Sequence, residues 1–149
     1  MAPIRRVGSE SGAVLIEFAL VFPLLLLVTL GIVDFGLLFQ RYEVLTNAAR
    51  EGARVAVLPG YSSADVEDRV EQYLQATSLS GTTVTTTVAA PATVDLGASC
   101  ITVIAVTVSF DHDFAFVGGI MSYFGSSMAT KTLTATSTMR SETAAASCP

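Results

Sequence analysis

At 149 residues, 51% apolar and only 14% charged, the chain has room for one small globular domain beside a membrane segment. Its formal charge of −5 and pI near 4.6 come without any Lys/Arg-rich run, which removes the electrostatic basis for nucleic-acid binding. Much of the apolar excess lies between Ala13 and Leu38.

The first residues carry Arg5 and Arg6, with Glu10 the only nearby acid. From Ala13 to Phe39 run 27 residues, enough to cross a hydrocarbon layer that needs about 20. The two acids in this segment, Glu17 and Asp34, stand about 26 Å apart along a helix. Both carboxylates are therefore expected near opposite interfaces of a layer about 30 Å thick, with Asp34 as a second membrane acid. Basic residues next to a membrane end favour the cytoplasmic side, so the N-terminus is expected inside and the domain outside, opposed only by Arg41. A secretory signal would have a shorter apolar stretch followed by a small-x-small cleavage site. Here the small residue, Gly12, precedes the apolar run, which argues for a retained single-pass anchor in the cytoplasmic membrane.

A carboxylate inside such a segment is costly, by about 2.5–3.5 kcal/mol at the bilayer centre and less near an edge. A cut between Gly12 and Ala13 would supply Glu17 with a partner. The amide nitrogen of Ala13 would become an ammonium group with a pKa of about 7.7–8.0, four residues away on the same helix.

The helix is expected to continue outside the membrane over residues 40–58, since Leu38, Tyr42, Leu45, Ala49, Gly52 and Ala56 recur at three and four. Small residues at its far end, Ala49, Gly52, Ala53 and Ala56 with Ala48, suit close packing, either against the chain's own sheet or against another subunit. Pro59-Gly60 ends it. A small α+β domain is expected over residues 59–143. Its helix, at about 63–76, would be capped by Ser62 or Ser63, with Asp65, Glu67 and Asp68 near the positive end and Val66, Val70, Tyr73 and Leu74 on one face. From Gly81 onward threonine and valine dominate and the period becomes two. Strands are expected at about 82–90, 101–110 and 128–139, with one face packed and one hydroxylated. The apolar stretch Phe114–Gly125 could complete the core, rest on the membrane surface or meet another subunit. Residues 144–149 form a short tail. Cys100 and Cys148 both fall in the portion placed outside, where an oxidising compartment permits a disulfide between them. Closing about 49 residues would stabilise the fold by about 4 kcal/mol on a chain-entropy estimate.

Catalytic chemistry needs a nucleophile, an acid–base pair or a metal cage. The sole histidine, His112, lies between Asp111 and Asp113, and alternate residues of a strand face opposite ways, so the three do not converge if the strand continues. A polar turn after Phe110 is the simpler expectation. No cofactor or metal site is expected, and the chain does not read as an enzyme.

Two stretches carry a family resemblance: Ser11-Gly12-Ala13-Val14-Leu15-Ile16-Glu17-Phe18-Ala19-Leu20-Val21-Phe22-Pro23-Leu24, and Asn47-Ala48-Ala49-Arg50-Glu51-Gly52-Ala53-Arg54-Val55-Ala56. The first resembles the leader and helix start of type IV prepilins. Together they resemble the TadE/TadF-like minor pilins, or pseudopilins, of the tight-adherence (Tad, or Flp) type IV pilus system, closely over residues 10–58 and in outline beyond. The resemblance implies a pilin-like α+β fold in which a long N-terminal helix, membrane-spanning over 13–39, packs on a small antiparallel sheet. It implies that residues 1–12 are a leader removed by a membrane-embedded prepilin peptidase, with Glu17 as the assembly carboxylate and Phe18 completing the Glu-Phe pair of this branch. It implies as partners other pilins, the inner-membrane assembly platform and the lipid bilayer. Major pilins of such systems are much shorter, so the sheet domain implies a priming, capping or adhesive component. The competing expectation is an uncleaved, membrane-anchored envelope scaffold or binding protein.

Overall fold

Ser9 to Ala56 form a single α-helix, α1, with Pro23 its one internal proline. At 1.5 Å per residue it is about 72 Å long. Pro23 removes one backbone hydrogen bond from the apolar half of the helix. Six residues further on, the Thr29 hydroxyl donates to the Leu25 carbonyl at 2.8 Å, so this polar side chain is satisfied within the helix. The computed structural model describes residues 9–97, 99–123 and 130–141.

A second helix, α2 (Ser63–Gln75), lies against the outer half of α1. Its start is set by a reciprocal capping box. The Ser62 hydroxyl accepts from the Asp65 amide at 3.4 Å, and the Asp65 carboxylate accepts from the Ser62 amide at 2.7 Å. The Ser62 hydroxyl, which also donates to this carboxylate at 2.7 Å, and then the Ser62 amide hold the Asp65 carboxyl below its ordinary pKa. Val66, Val70 and Leu74 bury one face, spaced as one helical stripe. Across that seam the Arg69 guanidinium donates through Nε and Nη2 to Glu51 of α1, which lowers the Glu51 pKa, with Arg54 adding a weaker attraction.

The sheet is antiparallel and built around one long strand. Strands β1 (Val84–Val88) and β2 (Ala92–Asp95) lie end to end along one side of β3 (Cys100–Asp113). Strand β4 (Thr130–Arg140) pairs with the other side, from Val103↔Arg140 to Asp113↔Thr130. A short helix, α3 (Val117–Tyr123), lies between β3 and β4 in the chain. The break between β1 and β2 contains Pro91, which has no amide to donate to a ladder. The β2–β3 connection closes through the Leu96 amide on the Ser99 carbonyl, with Gly97 in the left-handed region at φ +85°.

Helix α1 is the common neighbour of α2, β3 and β4. Leu45, Ala48, Ala49 and Ala53 from α1 meet Val66, Val70 and Leu74 from α2, Val106, Val108 and Phe110 from β3, and Leu133 and Ala135 from β4. The opposite face of the sheet carries hydroxyls. The Thr107 and Thr136 hydroxyls bond across the ladder at 2.9 Å, while Thr132 and Thr130 donate to Asp111 and Asp113, each at 2.6 Å.

Two elements differ from the sequence expectation. Strand β2 lies in a stretch to which the sequence assigns no element, and the first strand is shorter than 82–90. Strand β3 does not turn after Phe110 but continues to Asp113, because the two aspartates find threonine partners on β4 and His112 turns inward.

Candidate functional site

From Gly12 onward α1 is long and apolar enough to cross a membrane, and none of its most apolar window is buried by the rest of the chain. Val14, Leu15, Ile16, Phe18 and Leu20 stand exposed, and Phe18 stacks on Phe22 at 5.2 Å. An apolar surface of this extent exceeds the patches that monomers leave in water, so it calls for lipid or neighbouring helices. Glu17 is exposed on the same stretch, and the space around Gly12 is open.

Where the apolar segment meets the domain, the structure builds a collar. Asp34 is 1% exposed. Its carboxylate accepts backbone N–H bonds from Ala115 at 3.2 Å, Phe116 at 2.9 Å and Val117 at 2.7 Å. Those amides lead into α3, where the first turn has no intrahelical acceptors and a negative charge is favoured. Phe35 packs edge-on against Phe114 at 5.8 Å, and Val117 lies beside Gly31. Asp34, read from the sequence as a second membrane acid, is thus buried under the chain's own backbone, with donors from far along the chain converging on its carboxylate.

One turn and more above Asp34, Arg41 bonds to His112 Nδ1 at 2.9 Å and lies over the Phe110 ring at 5.7 Å from its centre. His112 is 2% exposed and packs edge-on against Phe114 at 5.1 Å. Because Arg41 can only donate, Nδ1 is the acceptor and Nε2 carries the proton, and Nε2 has no hydrogen-bond partner among the described residues. Burial first, and the Arg41 charge second, push the His112 pKa below its ordinary value, against the pull of Asp34 and Asp113. A depressed histidine binds fewer protons folded than unfolded, so stability is present above about pH 6.5 and falls as pH drops through the folded-state value. Thermal unfolding in detergent between about pH 7.5 and 5.5 should therefore show a falling midpoint that His112→Phe flattens. Equal pH slopes for both proteins would refute this.

Of the packing residues read from the sequence, Ala49, Gly52 and Ala53 are buried within the chain's own core and Ala56 is partly buried against it. Their neighbours are α2 and the sheet; a Cβ on Gly52 would lie 2.7 Å from Val70 and 3.2 Å from Val106. Cys100 opens β3 and is not a free thiol. Cys148, its expected partner, lies outside the described residues, as do the leader residues 1–8. The Arg41–His112 pair escaped the sequence reading, although a lone arginine just past an apolar run and a sole histidine were its visible signals. Among the described residues no three His, Cys, Asp or Glu side chains gather to hold a metal.

The apolar anchor, the collar acid and the small-residue stripe all lie on one continuous helix, and the same stretch is what comparison with known families picks out. Residues 12–54 match the TadE-like protein family. No protein of curated function and no solved structure matches the chain. The TadE-like segment begins at Gly12 and ends two residues before α1 does. It therefore holds the exposed anchor, Asp34, Arg41 and the buried stripe, while α2 and the sheet lie beyond it. A TadE-like helix of this kind points to a structural, membrane-associated part in a Tad pilus system rather than to catalysis.

Proposed function

We propose that the chain is a minor pilin of a Tad-type pilus, made as a single-pass precursor and cut between Gly12 and Ala13 by a prepilin peptidase. The observation that carries this reading is the TadE-like match over an α1 whose apolar half is left uncovered by its own domain. Residues 1–12 lie on the cytoplasmic side and the domain lies outside. Cleavage frees the Ala13 ammonium, and Glu17, one turn along, pairs with it in the same chain or in a neighbour. This neutralises both charges as the helix passes from lipid into contact with other pilin helices on the assembly platform. The sheet domain travels with the helix, since α1 is also its core, and it suits a priming, capping or adhesive subunit. Cys100 and Cys148 form a disulfide once outside.

The intact mass of membrane-extracted protein, from cells with and without the peptidase, tests both parts. Loss of residues 1–12 only where the peptidase is present is expected, with no thiol available to an alkylating agent until reduction. Full-length protein in both samples would refute the pilin mechanism and leave an uncleaved envelope anchor. Thiols that alkylate without reduction would refute the disulfide alone.

A further inference from the structure

We infer that the collar at Phe114–Val117 seats the extramembrane domain in the headgroup layer of the bilayer, with Phe116 inserted among the lipids. This rests on the membrane-anchor reading of α1 and adds to it a second lipid-binding element, remote in sequence. The argument begins with depth. A hydrocarbon layer about 30 Å thick that starts near Ala13 ends about 20 residues later, close to Ile32. At this level Val117 of the domain lies beside Gly31 of α1. The collar therefore stands at the outer edge of the hydrocarbon.

The polar groups there are arranged for that depth. Free backbone amides and a lone carboxylate are each expensive where water is scarce. Asp34 and the amides of Ala115, Phe116 and Val117 satisfy one another, so the collar presents neither to the surroundings. The next charge along α1, Arg41, is turned inward onto His112 and Phe110.

What the collar does present is apolar. Phe116 is 43% exposed two residues after Phe114, which packs on Phe35 of α1, and Ile32, Phe35 and Phe39 of α1 are exposed as well. This surface continues the uncovered face of the anchor without an intervening charged side chain other than the buried Asp34. The continuity selects lipid as the occupant, because a protein partner seated only on Phe116 would still have to share its edge with the bilayer. Insertion of an aromatic ring at the headgroup boundary also limits how far the domain can tilt about α1.

The chain contains no tryptophan, so a single introduced indole reports its own surroundings. The full chain would be reconstituted into phosphatidylethanolamine/phosphatidylglycerol vesicles doped with phosphatidylcholine brominated either near the headgroup end or near the methyl end of its acyl chains. Three variants would be compared: Phe116→Trp at the collar, Leu24→Trp in mid-span and Tyr61→Trp at the far end of the domain. The expected result is quenching of Phe116→Trp emission by about half with the shallow bromines, of Leu24→Trp by the deep ones, and of Tyr61→Trp by neither. If Leu24→Trp is quenched by lipid while Phe116→Trp responds only to aqueous iodide, the seat is overturned and the anchor stands. If Leu24→Trp is not quenched by lipid, the anchor reading and the seat fail together.

Discussion

Replacing Gly52 by leucine is expected to prevent the extramembrane domain from closing. Gly52 lies on α1 where both neighbouring layers come nearest. A methyl group there would already meet Val70 of α2 at 2.7 Å, with Val106 of β3 at 3.2 Å and Val66 at 3.4 Å. Valine side chains are stiff about χ1, and all three are buried, so they cannot swing aside cheaply. For Gly52→Ala, overpacking of about 1–3 kcal/mol competes with a helix-propensity gain of about 1 kcal/mol, and a small net loss is expected. Leucine adds further atoms with nowhere to go, which puts the cost above about 3 kcal/mol. That is a large share of the 5–15 kcal/mol that holds an ordinary domain together. Chemical denaturation of the detergent-solubilised protein would show it. A Gly52→Leu midpoint equal to that of the unaltered protein would mean that α2 does not pack on α1 as described.

The strip that makes this prediction possible was visible in the sequence, and its partner was not. Ala48, Ala49, Gly52 and Ala53 declare a close approach by size alone, but the same residues serve an inward or an outward contact equally well. Their burial against Val66, Val70 and Val106 decides for the chain's own core. The helix start was legible to within Ser62 or Ser63 because a capping box is local chemistry, written in residues three apart, and the hydrogen bonds choose Ser62. Strand β3 was legible over its valines and isoleucines and lost at Asp111-His112-Asp113, where a polar triplet resembles a turn. The competing influence is tertiary: threonines on β4 receive the aspartates, and Arg41 receives the histidine. Strand β2 has little apolar alternation, and all four of its residues are exposed, so the periodic signal that marks a packed strand was absent. Asp34 is the extreme case. Its partners are backbone amides 81 to 83 positions away, and backbone groups leave no mark on composition or spacing.

Loss of the Asp34 carboxylate should therefore release the collar while leaving the rest of the domain folded. Hydrogen bonds to a charged group are each worth about 1.5–3 kcal/mol, and the three that share this carboxylate do not add fully. For Asp34→Ala a local loss of about 3 kcal/mol is expected, because the amides of Ala115, Phe116 and Val117 are left without an acceptor in a partly buried position. At about 1.4 kcal/mol per factor of ten, their hydrogen exchange should quicken by about a hundredfold. Amides of α2 and of the Val106–Phe110 part of β3 should change little, since the hydrogen bonds of the altered carboxylate run to Ala115, Phe116 and Val117. Asp34→Asn keeps one oxygen acceptor and should fall between the two. The contrast separates a capping role from a general membrane role. If Asp34 mattered only as an acid at the lipid boundary, alanine would relieve its solvation cost and the protein would gain stability. Unchanged exchange at Ala115–Val117 in Asp34→Ala would show that the collar is held by its aromatic contacts, Phe35 on Phe114 and Phe114 on His112, and that the carboxylate is incidental. Faster exchange confined to the collar would instead make Asp34 the residue that fastens the collar to α1.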